Sequence, residues 1–273
     1  MLFSMARFVR AAMLASAAAA APVLAQGDLL VAPTRVVLDG ERGTEVILNN
    51  IGNETAVYRV SLEVRRMTAD GKLDEIAEAE ASEAEKAALA MISYAPRRVE
   101  LAPNQPQAIR IGVRAPEGLP DGEYRVHMLF RAIPDAKAPS AGDAPATGVS
   151  IALTPIYGVT IPVIVRQGSL RATASIAGAQ LVDTPEGRGF SLDLTREGMR
   201  STYGEIRVLK PGEAKPALQA RGIAVYPEVA RRNLTLPIPE EVAAKLAGPA
   251  TVQYLEDGEE GGRVIAEAKV VLR

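Results

Sequence analysis

The sequence has 273 residues, and its 31 Lys and Arg residues against 33 Asp and Glu residues give a formal net charge of −2 at pH 7. Such a length makes one or two domains, and 48% hydrophobic residues suit a globular protein with a buried core. The near-neutral balance argues against nucleic-acid binding. With no Cys and a single His, the sequence predicts no disulfide, no multi-histidine metal site and no cofactor.

The N-terminus has the pattern of an export signal. Arg7 and Arg10 precede the apolar run 11–21, and Val23-Leu24-Ala25 gives a small-x-small cleavage pattern. The run is too short to cross about 30 Å of hydrocarbon. We therefore predict a signal peptide over residues 1–25, cleavage near Ala25–Gln26, a periplasmic protein and no stable membrane insertion.

Short segments of alternating apolar and polar residues, separated by turn residues, follow in the N-terminal half. Such spacing is typical of antiparallel β-sandwiches. In the segment 124–130, Tyr124, Val126, Met128 and Phe130 share one face. His127 lies on the opposite, more polar face, where we interpret it as solvated or hydrogen-bonded. The Ala- and Glu-rich stretch 75–91 indicates a short helix or a solvated insert.

The C-terminal part repeats the same style of pattern. Gln167-Gly168-Ser169 marks the predicted boundary between domains over 26–168 and 169–273. Residues 239–246 indicate a brief helical turn. Strands are predicted at 171–176, 190–195, 203–209, 217–226, 232–236, 249–256 and 263–272.

A flexible loop followed by a long apolar strand is the most informative pattern. Residues 134–148 are rich in Pro, Ala, Ser and Gly, and the apolar run 149–165 follows them. Because Pro155 and Pro162 cannot donate to a neighbouring strand, we expect one edge of this run to be free of the domain's own sheet. A bulge at Gly158 would bring the two prolines onto that edge.

An exposed strand edge can pair with a partner's strand while alternate side chains enter the partner's core. One face of the run carries Val149, Ile151 and Leu153. Their side chains either enter a partner's core in this way or fill the chain's own core. The sequence has no phosphate-binding loop and no calcium-loop spacing. Paired carboxylates of a glycosidase type stay open, although no motif supports an enzyme.

Several motifs, in this order and spacing, resemble the periplasmic pilus (fimbrial) chaperones, the PapD-like family. The resemblance covers residues 31–168 well and the C-terminal part weakly. The matching segments are 33–40 (PTRVVLDG), 94–103 (YAPRRVELAP), 121–125 (DGEYR), 129–134 (LFRAIP) and 161–166 (IPVIVR).

The resemblance implies an all-β fold of two immunoglobulin-like β-sandwich domains in an L-shaped arrangement. It also implies donor-strand complementation, in which the chaperone lends an edge strand to a pilus subunit and the loop 134–148 orders on binding. Pilus-type subunits, and an outer-membrane usher, are the implied partners. The implied donor strand contains Val149, Ile151, Leu153, Ile156, Val159 and Ile161.

The resemblance further implies that an arginine and a lysine anchor the subunit's terminal carboxylate. Arg35 matches the arginine, but Pro162 occupies the lysine position and residues 149–165 contain no Lys. Either another group replaces the lysine or the partner is not a typical pilin. Glu123, Arg166 and Asp257 match a structural charge network between the domains.

The sequence thus predicts a non-enzymatic chaperone. The alternative is a non-catalytic envelope scaffold or adhesion module of two β-sandwiches. In that alternative the segment 149–165 is paired on both edges.

Overall fold

The structure, a computed structural model, describes residues 29–39, 42–134, 156–257 and 262–273. The predicted signal peptide 1–25, nearly all of the loop 134–148 and the positions Val149, Ile151 and Leu153 lie outside the described residues. Within those four ranges, no helix is long and apolar enough to span a membrane.

The N-terminal strands form two sheets that face each other. Sheet I has the order β1-β3-β8-β6, and sheet II has the order β2-β10-β9-β4-β5, with β7 also paired to β4. Buried side chains from both sheets make one core, which includes Val46, Leu48, Phe130 and Val163. The strands are β1 Leu29–Ala32, β2 Val36–Leu38, β3 Thr44–Asn50, β4 Ala56–Met67, β5 Leu73–Ile76, β6 Ile92–Ala95, β7 Arg98–Leu101, β8 Pro106–Val113, β9 Gly122–Ile133 and β10 Gly158–Gln167.

The alternation predicted for β9 is confirmed. Tyr124, Val126, Met128 and Phe130 all point into the N-terminal core and are almost fully buried. Because successive side chains of a strand point to opposite faces, His127 lies on the other face, as predicted. Each large apolar side chain buried in this way contributes about 1.5–3 kcal/mol to folding.

The segment 75–91 is helical only in its second half. Residues 75 and 76 belong to β5, a 3-10 turn covers Glu78–Glu80, and α1 spans Glu83–Met91. The helix begins where Ser82 and Glu85 form a capping box: the Ser82 hydroxyl accepts from the Glu85 amide, and the Ser82 amide donates to the Glu85 carboxylate.

The C-terminal strands form a second pair of sheets around a separate core that includes Phe190, Leu192, Val208 and Tyr254. Sheet III has the order β11-β12-β15, and sheet IV has the order β14-β13-β16-β17. The predicted all-β fold of two immunoglobulin-like β-sandwiches is therefore confirmed. The elements are β11 Ala172–Thr184, β12 Gly187–Gly198, β13 Thr202–Leu209, β14 Leu218–Val225, β15 Arg231–Pro237, α2 Glu240–Leu246, β16 Gly248–Glu256 and β17 Arg263–Leu272.

The two pairs of sheets meet through a small apolar cluster of Met67, Ile164, Ala224 and Tyr226. Sheets I and II use residues up to Gln167, and sheets III and IV begin at Ala172. The domain limits 26–168 and 169–273 remain a prediction. We use "N-terminal sandwich" for sheets I and II and "C-terminal sandwich" for sheets III and IV.

Candidate functional site

One edge of β10 is only partly covered. The whole length of β10, from Gly158 to Gln167, pairs with β9 in unbroken register. The bulge expected at Gly158 is therefore absent, and β10 begins there. On the other side, β2 pairs with Val163–Val165 only. Among the described strands, residues 158–162 thus have a neighbour on one side alone; we call this segment the open edge.

The direction of the backbone groups along the open edge follows from the register. The Ala132 amide donates to the Tyr157 carbonyl at 2.9 Å. Because hydrogen-bonding directions alternate along a strand, the groups of Val159 and Ile161 also face β9, and those of Gly158, Thr160 and Pro162 face outward. Pro162 has no N–H to donate. Because its backbone nitrogen faces the uncovered edge, no hydrogen bond to β9 is lost.

The predicted donor-strand side chains are distributed over different environments. Ile161 is 2% exposed inside the N-terminal core, and Val159 packs against the same core. In this conformation these two side chains fill the chain's own interior, because odd-numbered residues of β10 point inward. Ile156 and the neighbouring Tyr157 are exposed. The donor-strand assignment itself stays a prediction.

Arg35 lies between the two sandwiches. Arg35 directly precedes β2, whose first residue, Val36, pairs with Val163 of β10. Because Pro162 directly precedes Val163, Arg35 and Pro162 lie at the same level along the two strands. Arg35 Nη1 donates to the Tyr226 hydroxyl at 3.3 Å, and its Nη2 donates to the Ser201 hydroxyl at 3.1 Å. Its guanidinium carbon also lies 4.4 Å from the centroid of the Tyr203 ring. The C-terminal sandwich therefore holds the Arg35 head group in place.

Two of the three predicted charge-network residues form an ion pair. Glu123 and Arg166 are direct partners across β9 and β10, and Arg166 Nε donates to Glu123 Oε2 at 3.1 Å. The same oxygen accepts from the amide of Ser201 at 3.0 Å and from its hydroxyl at 2.9 Å. Ser201 thereby provides the link to the C-terminal sandwich that the sequence assigned to Asp257.

Asp257 lies near this network without a salt bridge to any described residue. Its side chain is exposed, and its amide donates to the Tyr203 carbonyl at 3.0 Å. The role of Glu123, Arg166 and Asp257 as one charge network remains a prediction.

An open cavity of about 340 Å³ adjoins these groups. Glu256 at its wall is paired with Arg200, whose Nη2 donates to Glu256 Oε2 at 3.1 Å. In the described part of the chain, no cluster of His, Asp or Glu is arranged to hold a metal ion. The cavity is lined by Arg35, Val37, Arg166, Tyr203, Glu256 and Asp257.

Gly204 allows the cavity wall to form. A side-chain carbon at this position would lie 1.7 Å from the Leu255 carbonyl oxygen, because β13 and β16 approach closely there. We expect Gly204→Ala to push the strands apart and to lower the free energy of unfolding by about 1–3 kcal/mol. Urea denaturation measures the loss. Gly212→Ala is a comparison at a turn with open space around the residue, although its positive φ adds local strain.

His127 is buried, not solvated or hydrogen-bonded as the sequence suggested. It is 1% exposed, and neither ring nitrogen has a hydrogen-bond partner in the described part of the chain. Its ring meets that of Tyr226 edge-on, with centroids 6.4 Å apart. Burial lowers the pKa of His127 to about 3, and the positive charges of Arg125, Arg65 and Arg35 act in the same direction. The imidazole is therefore neutral near pH 7.

Sequence reasoning missed the residues of the C-terminal sandwich that surround Arg35. Ser201, Tyr203 and Tyr226 carry no motif, and only the contact between the two sandwiches brings them to the site. The sequence-predicted residues that the structure does bring together are Arg35, Glu123 and Arg166.

No family model matches the chain, and no curated protein matches it. Solved structures of similar shape include the chaperone DraB of E. coli, with 15% identity and a TM-score of 0.46 over 90% of this chain and 97% of that one. The CupB2 chaperone of Pseudomonas aeruginosa has 15% identity and a TM-score of 0.46, over 89% and 100% of the two chains. The CsuC–CsuE chaperone–tip subunit complex of Acinetobacter baumannii gives 11% identity and a TM-score of 0.48, over 90% and 99%.

Proposed function

We propose that this protein is a periplasmic chaperone that binds pilus-type subunits by pairing its open edge with a strand of the subunit. The predicted export signal supports the location, and the motifs of the N-terminal half support the class of protein. The proposal depends above all on one observation: β2 covers only Val163–Val165, so that residues 158–162 keep a side without a described neighbour.

The backbone of the open edge provides the binding groups. Gly158 and Thr160 each direct an N–H and a C=O outward, and Pro162 adds a C=O. Each main-chain hydrogen bond to a guest strand contributes about 1 kcal/mol net. Such pairing recognises an extended segment through its backbone, so it suits a family of related subunits with different sequences.

Arg35 supplies the charged end of the site. It lies level with Pro162, where the open edge meets β2, and its head group faces the cavity between the sandwiches. A guanidinium has five N–H donors, and among the described residues two of them have partners, Tyr226 and Ser201. The others are available to a carboxylate of the guest, which a guanidinium binds strongly because both partners are charged.

The proposal is tested with a pair of substitutions at Thr160. Thr160→Pro removes one outward N–H from the open edge, while Thr160→Val keeps it and has nearly the same shape. Tagged wild-type protein and both variants are purified from the periplasm, and the proteins that come with them are identified and quantified. We expect the proline variant to lose its partners by tenfold or more and the valine variant to retain them.

Equal recovery of pilus-type subunits by both variants, at unchanged melting temperatures, would overturn the proposal. Hydrogen exchange of the free protein distinguishes the scaffold or adhesion alternative. We expect the amides of Gly158 and Thr160 to exchange rapidly, whereas slow exchange at both would mean that the edge is covered within the protein itself.

A further inference from the structure

The turn between β4 and β5 reaches across to the C-terminal sandwich. Residues 68–72 form this turn, which we call the hairpin tip. The Asn233 amide on β15 donates to the Ala69 carbonyl at 2.6 Å. Gly71 lies so close to the Arg232 guanidinium that a side-chain carbon at this position would overlap it. The hairpin tip is therefore in direct contact with a strand of the other sandwich.

The Asn233 amide is available to the hairpin tip because β15 is an edge strand. Among the described strands, β15 pairs with β12 alone. The Arg196 amide donates to the Ala230 carbonyl at 2.8 Å, which fixes the phase of the ladder. Since hydrogen-bonding directions alternate along a strand, the amides of Asn233 and Thr235 both face away from β12. The hairpin tip thus gives Asn233 a hydrogen bond that its own sheet does not provide.

Glu228 reinforces this contact from the loop between β14 and β15. Its Oε1 accepts from the Met67 amide at 2.7 Å, and its Oε2 accepts from Arg125 Nη1 at 3.2 Å. Arg125 Nη2 also donates to the Arg65 carbonyl at 2.9 Å. One carboxylate of the C-terminal sandwich is therefore joined to β4 directly and to β9 through Arg125. Hydrogen bonds to an ionised group are about twice as strong as neutral ones.

The contact made by the hairpin tip is separate from the contact of Glu123 with Ser201. Glu123 is on β9 and its partner Arg166 on β10, whereas the hairpin tip extends from β4 and β5, on the side of sheet II away from β2. Two separated contacts restrain a rotation between the sandwiches that either contact alone would permit. The hairpin tip also stands outside the lining of the cavity of about 340 Å³ beside Arg35.

We propose that the hairpin tip and Glu228 form a second clamp between the sandwiches, which stays closed when the contact of Glu123 with Ser201 opens. The inference goes beyond the proposed function, because it concerns the free protein. It also has a consequence for binding. Arg35 and Glu123 share the Ser201 hydroxyl, so a ligand that draws Arg35 away disturbs that contact. The second clamp, with Glu228 as its positioning residue, then keeps the sandwiches in place.

Amide hydrogen exchange of the full chain, followed by NMR, tests the clamp with an internal reference in β15. The amides of Asn233 and Thr235 both face the outer edge, but within the described part of the chain only that of Asn233 has a partner. We expect the protection factor of Asn233 in the wild type to exceed that of Thr235 by at least about tenfold. Equal protection would overturn the proposal.

Three variants and a control separate the two contacts. Glu228→Ala removes a side chain that does not contact Asn233, yet it should lower the Asn233 protection factor about fivefold or more. Replacing residues 69–71 by Asn-Gly, a favoured two-residue hairpin turn, should remove the difference between Asn233 and Thr235. Glu123→Gln weakens the other contact and should leave Asn233 within about twofold of the wild type. Glu213→Ala, at an exposed turn of the C-terminal sandwich, is the matched control for Glu228→Ala.

Unchanged protection of Asn233 in Glu228→Ala would overturn the role of Glu228. A loss of protection in Glu123→Gln as large as in the shortened hairpin would mean that the two contacts open together, which contradicts the inference. Should Glu123→Gln fail to fold, Ser201→Ala replaces it, because this change removes only the shared hydroxyl. None of these measurements uses a guest, so the proposed function stands or falls by its own test.

Discussion

Tyr226→Ala is expected to separate the two sandwiches and to lower the free energy of unfolding by about 3–5 kcal/mol, the usual cost of truncating a buried aromatic side chain. Tyr226 is 4% exposed and packs with Met67, Ile164 and Ala224 between the sandwiches. The Arg125 guanidinium carbon also lies 3.6 Å from its ring centroid. One side chain therefore supports much of the contact between the two halves.

The measurement combines thermal denaturation with small-angle scattering. We expect a lower melting temperature and a larger radius of gyration in Tyr226→Ala. Tyr226→Phe is the matched control, because it keeps the ring and loses only the hydroxyl that accepts from Arg35 at 3.3 Å. Its stability should fall by less than about 1 kcal/mol. An alanine variant that melts and scatters like the wild type would contradict this account of the interface.

His127 is expected to make the protein sensitive to acid. The pKa of the imidazole falls from an ordinary 6.5 to about 3 on folding. The unfolded chain therefore binds a proton that the folded chain rejects, and stability is lost as the pH falls from about 6.5 to about 3. A shift of this size corresponds to at most about 5 kcal/mol, because one pKa unit equals 1.36 kcal/mol.

Burial is the main reason that the pKa of His127 is lowered, and the charged groups around the ring act in the same direction. Arg125 lies on the same strand, Arg65 on β4 and Arg35 beside β2, and all three oppose a further positive charge. The opposite charges nearby are already paired: Glu63, the cross-strand partner of His127 on β4, is hydrogen-bonded to Arg65, and Glu228 is paired with Arg125, with Nη1 and Oε2 at 3.2 Å. Tyr226 covers the ring from the same side.

His127→Leu tests this assignment. The substitution keeps an uncharged side chain of similar size, so stability at pH 7 should change little, while the loss between pH 6.5 and 4 should be much smaller than in the wild type. Urea denaturation at a series of pH values gives both curves. Other carboxylates titrate in both proteins, including Glu85, whose pKa the hydrogen bond from Arg66 lowers to about 2, so only the difference between the curves is informative. Parallel curves would show that His127 does not titrate as described.

Strand patterns were predictable where alternation and turn residues agree. The β9 face follows directly from period-two alternation, and β17 spans the predicted residues 263–272, whereas β11 extends to Thr184, well beyond the predicted 171–176. The direction of Val159 and Ile161 did not follow, because prolines on both sides of Gly158 left the phase of the strand open. Only the pairing with β9 shows that these residues face inward.

Contacts between distant parts of the chain were the least predictable. Arg35 bonds to Ser201 and Tyr226, which lie 166 and 191 positions away, and no local pattern marks either partner. The sequence also suggested Asp257 for a link that the buried Ser201 provides. A small hydroxyl fits between Glu123 and Arg35, and such a fit depends on how two surfaces meet.

Pro162 has a consequence for where a visiting strand must stop. On the outward side of β10 the proline offers no amide hydrogen, and β2 occupies the next positions from Val163 onward. A polypeptide that continued past this level would leave its own carbonyl unpaired and collide with β2. A polypeptide that ends there avoids both penalties and places its last atoms beside Arg35. If a guest strand pairs with the open edge as we propose, the fold therefore favours a guest whose chain ends at this level over one that continues past it.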